Sequence, residues 1–224
     1  MSVERFDAID GHTLKGSDLS KLSVRAIYEL TEPRHVHEAL GSLGAVGCYL
    51  SWMSILQTIV ENGYKRVIVF EDDIIFVHNF VNKILFYYRE LPKDCDMWMF
   101  GYYNRDDFPA ANTTHVICKG KYWGNFGCMI TLDGAKKILK TALPIEMHFD
   151  SYVARLASIC PNVKIYFTKE SLVTCDKNLW SDISTPIIVQ SLKESRPGHS
   201  TSAPYFSVSS LFSYFSDFFR CKLV

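Results

Sequence analysis

The sequence predicts a single α/β domain, and three observations support this. The run Val67-Ile68-Val69-Phe70 is apolar and β-branched without alternation, the pattern of a strand buried on both faces. Helical patterns lie on either side of it, so helix, strand and helix alternate. With 224 residues the chain can build one large core but not two comfortable ones. Residues 1–193 are read as that domain, and 194–224 as a linker and an aromatic tail.

A polar opening with turns at Asp10-Gly11 and Gly16-Ser17 comes first. A helix is expected from near Gly47, with Leu50, Met53, Leu56, Ile59 and Val60 on one face and Gly63 as the glycine that ends it. After the buried strand, a second amphipathic helix runs from about His78 to Leu91, where Phe80, Ile84, Leu85, Tyr88 and Leu91 recur at helical spacing before Pro92. Met97 to Tyr102 and His115 to Cys118 read as strands, separated by the loop 104–112. Tyr122 to Thr131 mixes aromatics with two glycines, the composition of a backbone that approaches a ligand or another segment closely. Short helices follow from Asp133 to about Ala142 and from Met147 to Ile159, then a strand from Val163 to Phe167. Residues 194–204 have linker composition. The last twenty residues set phenylalanines among serines at partly helical spacing, which suits a helix docked on its own domain or a peripheral membrane contact.

Lysine and arginine number 24, as do aspartate and glutamate, and no dense basic run appears, so a nucleic-acid partner is not expected. Seven scattered cysteines form no CxxC pair and read as buried thiols in a reducing compartment. The first residues lack the apolar core of a signal peptide, and no stretch reads as the roughly eighteen apolar residues of a spanning helix. A cytoplasmic location is the expectation, and with it an idle sequon at Asn112.

The buried strand ends in Glu71, Asp72 and Asp73. In an open α/β sheet the edge beyond the strand carboxyl ends is where ligands bind. Three adjacent acids repel one another unless a cation or a base lies among them. Hard carboxylate oxygens suit Mn²⁺ or Mg²⁺. The alternative is a turn, or the acidic first turn of a helix.

Three segments extend this reading: VERFDAIDG at 3–11, GAVGCYLSWMSILQTIVENGYKRVIVFEDDI at 44–74, and YWGNFGCMITLDGAKKIL at 122–139 with HFDSYV at 148–153. In order and spacing the chain resembles glycosyltransferase family 25, the bacterial lipopolysaccharide galactosyl- and glucosyltransferases and collagen galactosyltransferases, over residues 3 to 184. The resemblance implies a GT-A-type nucleotide-diphospho-sugar transferase fold, a UDP-sugar donor, a saccharide or hydroxylated protein acceptor, a divalent cation and inversion at the sugar carbon. It makes Asp73 the first choice for metal ligation, Glu71 a ligand of the metal or the donor ribose, and Asp72 a residue facing the donor sugar. Asp150 matches the family's aspartate after the glycine-rich segment, a candidate to take the acceptor proton, with helix N-capping as the rival reading. Ser51 matches a serine of the family's helix, and Trp123, Gly124 and Asn125 line the donor-sugar pocket by the same resemblance; packing explains each of them as well.

The chain departs from the family pattern in three places. Trp52 stands where histidine is typical, and indole neither ligates metal nor moves a proton. The segment Val173 to Ser184 has no histidine to serve as a further ligand, leaving Asp176 or water, with His148 and His199 as unsupported alternatives. The family's first strand, with its Asn-Leu-Asp-Arg-like motif, is not seen before VERFDAIDG. A non-catalytic sugar- or partner-binding remnant of the same fold is therefore the second reading. A Mg²⁺ pocket for phosphoryl transfer ranks last, because the next strand ends in Gly101-Tyr102-Tyr103 without lysine or threonine.

Overall fold

The computed structural model describes residues 3–32, 36–103, 114–118, 121–176, 183 and 220–223. The Asn112 sequon and its loop, residues 177–182, the linker 194–204 with His199, and the aromatic tail up to 219 lie outside the described residues. The architecture is a mixed sheet with helices on both faces. Its strands are β1 (Val3–Arg5), β2 (Arg66–Phe70), β3 (Ile74–Phe76), β4 (Met97–Gly101), β5 (His115–Ile117), β6 (Gly127–Thr131), β7 (Ile165–Thr168), β8 (Val173–Cys175) and β9 (Arg220–Leu223). The main path runs β1-β9-β2-β6-β4-β7-β5, and β3 pairs antiparallel with β8 as a ribbon beside it.

β2 and β4 are buried on both faces, as their unbroken apolar runs predict. Val67, Val69, Met97, Met99, Cys128 and Ile130 join the core on one side of the sheet. Ile68, Phe70, Trp98, Phe100 and Met129 join the core on the other. The first core also holds residues of α3 (Leu43–Glu61), α5 (Leu132–Leu139) and α6 (Phe149–Ile159), and the second those of α4 (Phe80–Arg89). Because β6 is antiparallel to both β2 and β4, those two strands run together, and β1, β9 and β7 share their direction. One edge of the sheet thus gathers the carboxyl ends of β2 and β4 and the amino end of β6.

The expected helices and strands stand where periodicity puts them, with shifted ends. α3 begins at Leu43, before Gly47, because Ser42 accepts a hydrogen bond from the Ala45 N–H and caps it. By length and composition this helix is apolar enough to cross a bilayer, which corrects the expectation that no such stretch exists; most of it is buried as a core helix. Near the start, Asp10 caps a single 3-10 turn at Gly11–Thr13, and the turn expected at Gly16-Ser17 is the short helix α1 (Gly16–Leu19). α2 (Val24–Thr31), β3, β8 and β9 were not expected.

Candidate functional site

The acidic run lies at the gathered edge. The Glu71 N–H donates to the Phe126 carbonyl at 3.2 Å, so the chain leaves the sheet only after Glu71. Asp72 is exposed at the following turn, while Glu71 and Asp73 are half-buried. The β3–β8 ribbon then carries the chain away and brings another acid back: the Asp176 N–H donates to the Asp73 carbonyl at 2.7 Å.

The electrostatics are those of an uncompensated acidic cluster. Burial pushes the Glu71 carboxyl up to about 8, and the charges of Asp73, Asp150 and Asp72 push the same way. Burial likewise raises Asp73, helped by Asp72 and Asp176 and opposed by a backbone hydrogen bond. Among the described residues no lysine or arginine forms an ion pair with any of the three. Asp73 Oδ1 is buried and has no hydrogen-bond partner among the described residues. Such an oxygen costs stability unless something else meets it. A hard divalent cation fits that oxygen. Among the described residues no group of three His, Cys, Asp or Glu side chains is gathered as a metal site.

Asp150 comes to the same place from the opposite core. It lies in the first turn of α6, where His148 holds the N-cap position, so Asp150 is not the capping residue. Its Oδ2 accepts from the Gly124 N–H at 2.9 Å, and its Oδ1 accepts from the Ser151 N–H at 2.6 Å. Gly124 presents that N–H with φ at 82°, a conformation that favours glycine. Behind Asp150, the Phe149 ring stacks on Trp52 with centroids 5.0 Å apart and planes 5° from parallel, fixing where α6 begins. Trp52 is therefore a packing residue.

Ser51 fits the packing alternative too. It is fully buried, its hydroxyl donating to the Gly47 carbonyl and accepting from the Ile9 N–H, both at 2.8 Å, so it ties α3 to the segment before Gly11. Asn125 is also buried, with its side-chain oxygen accepting from the Tyr122 hydroxyl at 3.1 Å, as the packing alternative has it. Trp123 is 40% exposed.

Tyr103, not predicted as a site residue, joins the acids. Its hydroxyl lies 3.3 Å from Cys175 Sγ, that contact, burial and the charges of Asp73 and Glu71 raise its pKa, and its ring meets Phe126 edge-on at 4.7 Å. The available signal was topological: Tyr103 follows β4, which runs in the same direction as β2 with β6 between them.

The sequence that builds this site is similar to known proteins. The family model described as "Glycosyltransferase family 25 (LPS biosynthesis protein)" matches residues 1–153. A "Glycosyltransferase 25 family member" of Aedes aegypti is 28% identical over 72% of this chain and 27% of its own length. An "Inactive glycosyltransferase 25 family member 3" of Mus musculus is 29% identical over 77% of this chain and 30% of its own length. A "Procollagen lysyl hydroxylase and glycosyltransferase" of Acanthamoeba polyphaga mimivirus is 29% identical over 63% of this chain and 18% of its own length. The chain thus spans less than a third of the length of these relatives.

Proposed function

The chain belongs to glycosyltransferase family 25, and from that premise we propose that it moves a hexose, galactose or glucose, from a UDP-sugar to a hydroxyl of an acceptor, with inversion at the sugar carbon. The observation behind this reading is the partnerless buried oxygen of Asp73, set among Glu71, Asp72 and Asp176 within the electrostatic reach of Asp150. Asp73 and Glu71 would hold Mn²⁺ or Mg²⁺, which when bound neutralises charge on the departing diphosphate. Asp150 takes the proton of the acceptor hydroxyl as the new carbon–oxygen bond forms and the bond to UDP breaks. The Gly124 and Ser151 N–H groups fix the carboxylate for that transfer.

The co-directional strands, with acids beyond β2, support a GT-A-type sheet. β9 sits beside β2 with Leu223 opposite Phe70, and in this reading it supplies the neighbouring strand end at the donor edge. The family description names lipopolysaccharide biosynthesis and the viral relative's name procollagen, so saccharide and hydroxylated protein both stand as acceptor classes.

A second reading is a sugar-binding domain without turnover. It is favoured by the relatives named inactive and by Trp52, buried where the family typically has histidine. One assay separates the two: UDP release from a panel of UDP-sugars with Mn²⁺, with Asp73→Ala alongside. Transfer predicts release that falls about a hundredfold or more in the variant. Equal release would remove Asp73 from the mechanism, and UDP binding without release would favour the second reading.

A further inference from the structure

We propose that Trp123 is the stacking platform for a saccharide acceptor, the pyranose whose hydroxyl gives its proton to Asp150; this rests on the transferase reading above and reassigns Trp123 from the donor to the acceptor. The indole is the exception in its own segment. Tyr122, Asn125 and Phe126 are at most 5% exposed, whereas Trp123 is 40% exposed. Its backbone is held on both sides, the carbonyl accepting from the Tyr103 N–H at 3.0 Å and the next N–H, that of Gly124, donating to Asp150 Oδ2. Trp123 is thus the residue adjoining the one that binds the carboxylate assigned to take the proton.

The ring is also held in place. His37 lies 5.0 Å from it, centroid to centroid, at an interplanar angle of 49°, and His148 lies 6.2 Å beyond His37. The segment bearing His37 is tied to the helix bearing Asp150, because the Glu38 carbonyl accepts from the His148 N–H at 3.0 Å. The Glu38 carboxylate pairs with Lys121, two residues before Trp123. Platform, imidazole and base therefore form one braced unit.

The partition between donor and acceptor follows from two exposed aromatics, Tyr103 and Trp123. Tyr103 lies with the acids, since Asp73 and Glu71 act on its hydroxyl and Cys175 contacts it. The ring of Trp123 meets His37, and its chain neighbour Gly124 binds Asp150. In an inverting displacement the attacking hydroxyl and the departing diphosphate occupy opposite faces of the sugar. In this assignment the acids take the diphosphate side and Asp150 the attacking hydroxyl, so Trp123, next to the residue that binds Asp150, goes with the side of attack. A pyranose offers one face of C–H groups, which stacks on indole, and a rim of hydroxyls, which imidazole can meet as donor or acceptor.

The test measures saccharide binding without turnover. Wild type, Trp123→Ala, Trp123→Phe and His37→Ala are titrated by ligand-observed NMR with a panel of methyl glycosides and short glycans, and separately with UDP and Mn²⁺ by calorimetry. The expected result is that at least one glycan binds wild type, that Trp123→Ala weakens it about tenfold, that Trp123→Phe recovers part of the loss, and that His37→Ala falls between. UDP affinity is expected to change less than glycan affinity in all three variants. Unchanged glycan affinity in Trp123→Ala overturns the proposal, as does a panel in which no saccharide binds wild type. A larger loss for UDP than for glycan returns Trp123 to the donor and overturns it too. Absence of UDP binding with the glycan result intact would count against the transferase reading and leave the platform standing.

Discussion

Single side chains decide the pH response of this fold, and His115 gives the cleanest case. Both of its ring nitrogens are buried without hydrogen-bond partners, and its ring packs on Tyr87 and Trp98. Burial lowers its pKa from 6.5 to about 4. As pH falls through that window the unfolded chain takes up the proton first, so stability is full above 6.5 and declines toward about 4. Glu71 and Asp73 are raised by burial and act in the opposite sense. The measurable quantity is therefore the urea midpoint of wild type minus that of His115→Phe, which should fall as the pH falls through the window. At this scale the Glu71-Asp72-Asp73 run was legible, because a strand followed by acids is a local pattern. Asp176 beside Asp73 rests on a pairing about a hundred residues away in the chain, which local periodicity does not encode. Ser51 reads either way because a helical serine can satisfy its hydroxyl on the carbonyl one turn back, leaving nothing in the sequence to separate packing from binding.

Elements follow the same division between local and distant causes. α3, α4, α5 and α6 were legible from apolar spacing, and β2 and β4 from unbroken apolar runs. α2 was not, because Val24, Ile27 and Tyr28 face outward at 87%, 49% and 64% exposure while the buried side includes Glu29. β3 and β8 are three residues each, too short for alternation to register. The glycines of α3 show how an element is seated. A Cβ on Gly47 would land on the Ile9 carbonyl oxygen and crowd Gly11, so the helix and the 3-10 turn touch backbone to backbone. Gly47→Ala gains about 1 kcal/mol of helix propensity and loses about 3 kcal/mol to the clash, a net destabilisation of about 2 kcal/mol. Gly16→Ala, with nothing within 4 Å of the new methyl, should not lose stability in the same denaturation experiment.

For the whole molecule, the ordering of the sheet depends on β9. It lies between β1 and β2 and is parallel to both, with Cys221 opposite Val3 on one side and Ile68 on the other. Whichever neighbour the Cys221 N–H faces, proline there removes a ladder bond from an interior strand. Cys221→Pro should therefore cost about 3 kcal/mol, read as a fall in urea midpoint. The strand itself was illegible: RCKL has no β pattern of its own and takes its conformation from the two edges that receive it. Its position also sets a timetable for biosynthesis. Ile68 and Cys221 are separated by roughly 150 residues, and parallel contacts at such range form slowly. While the ribosome still holds the residues around 220, the nascent chain has β1 and β2 unbridged, with two unsatisfied edges open to any passing strand.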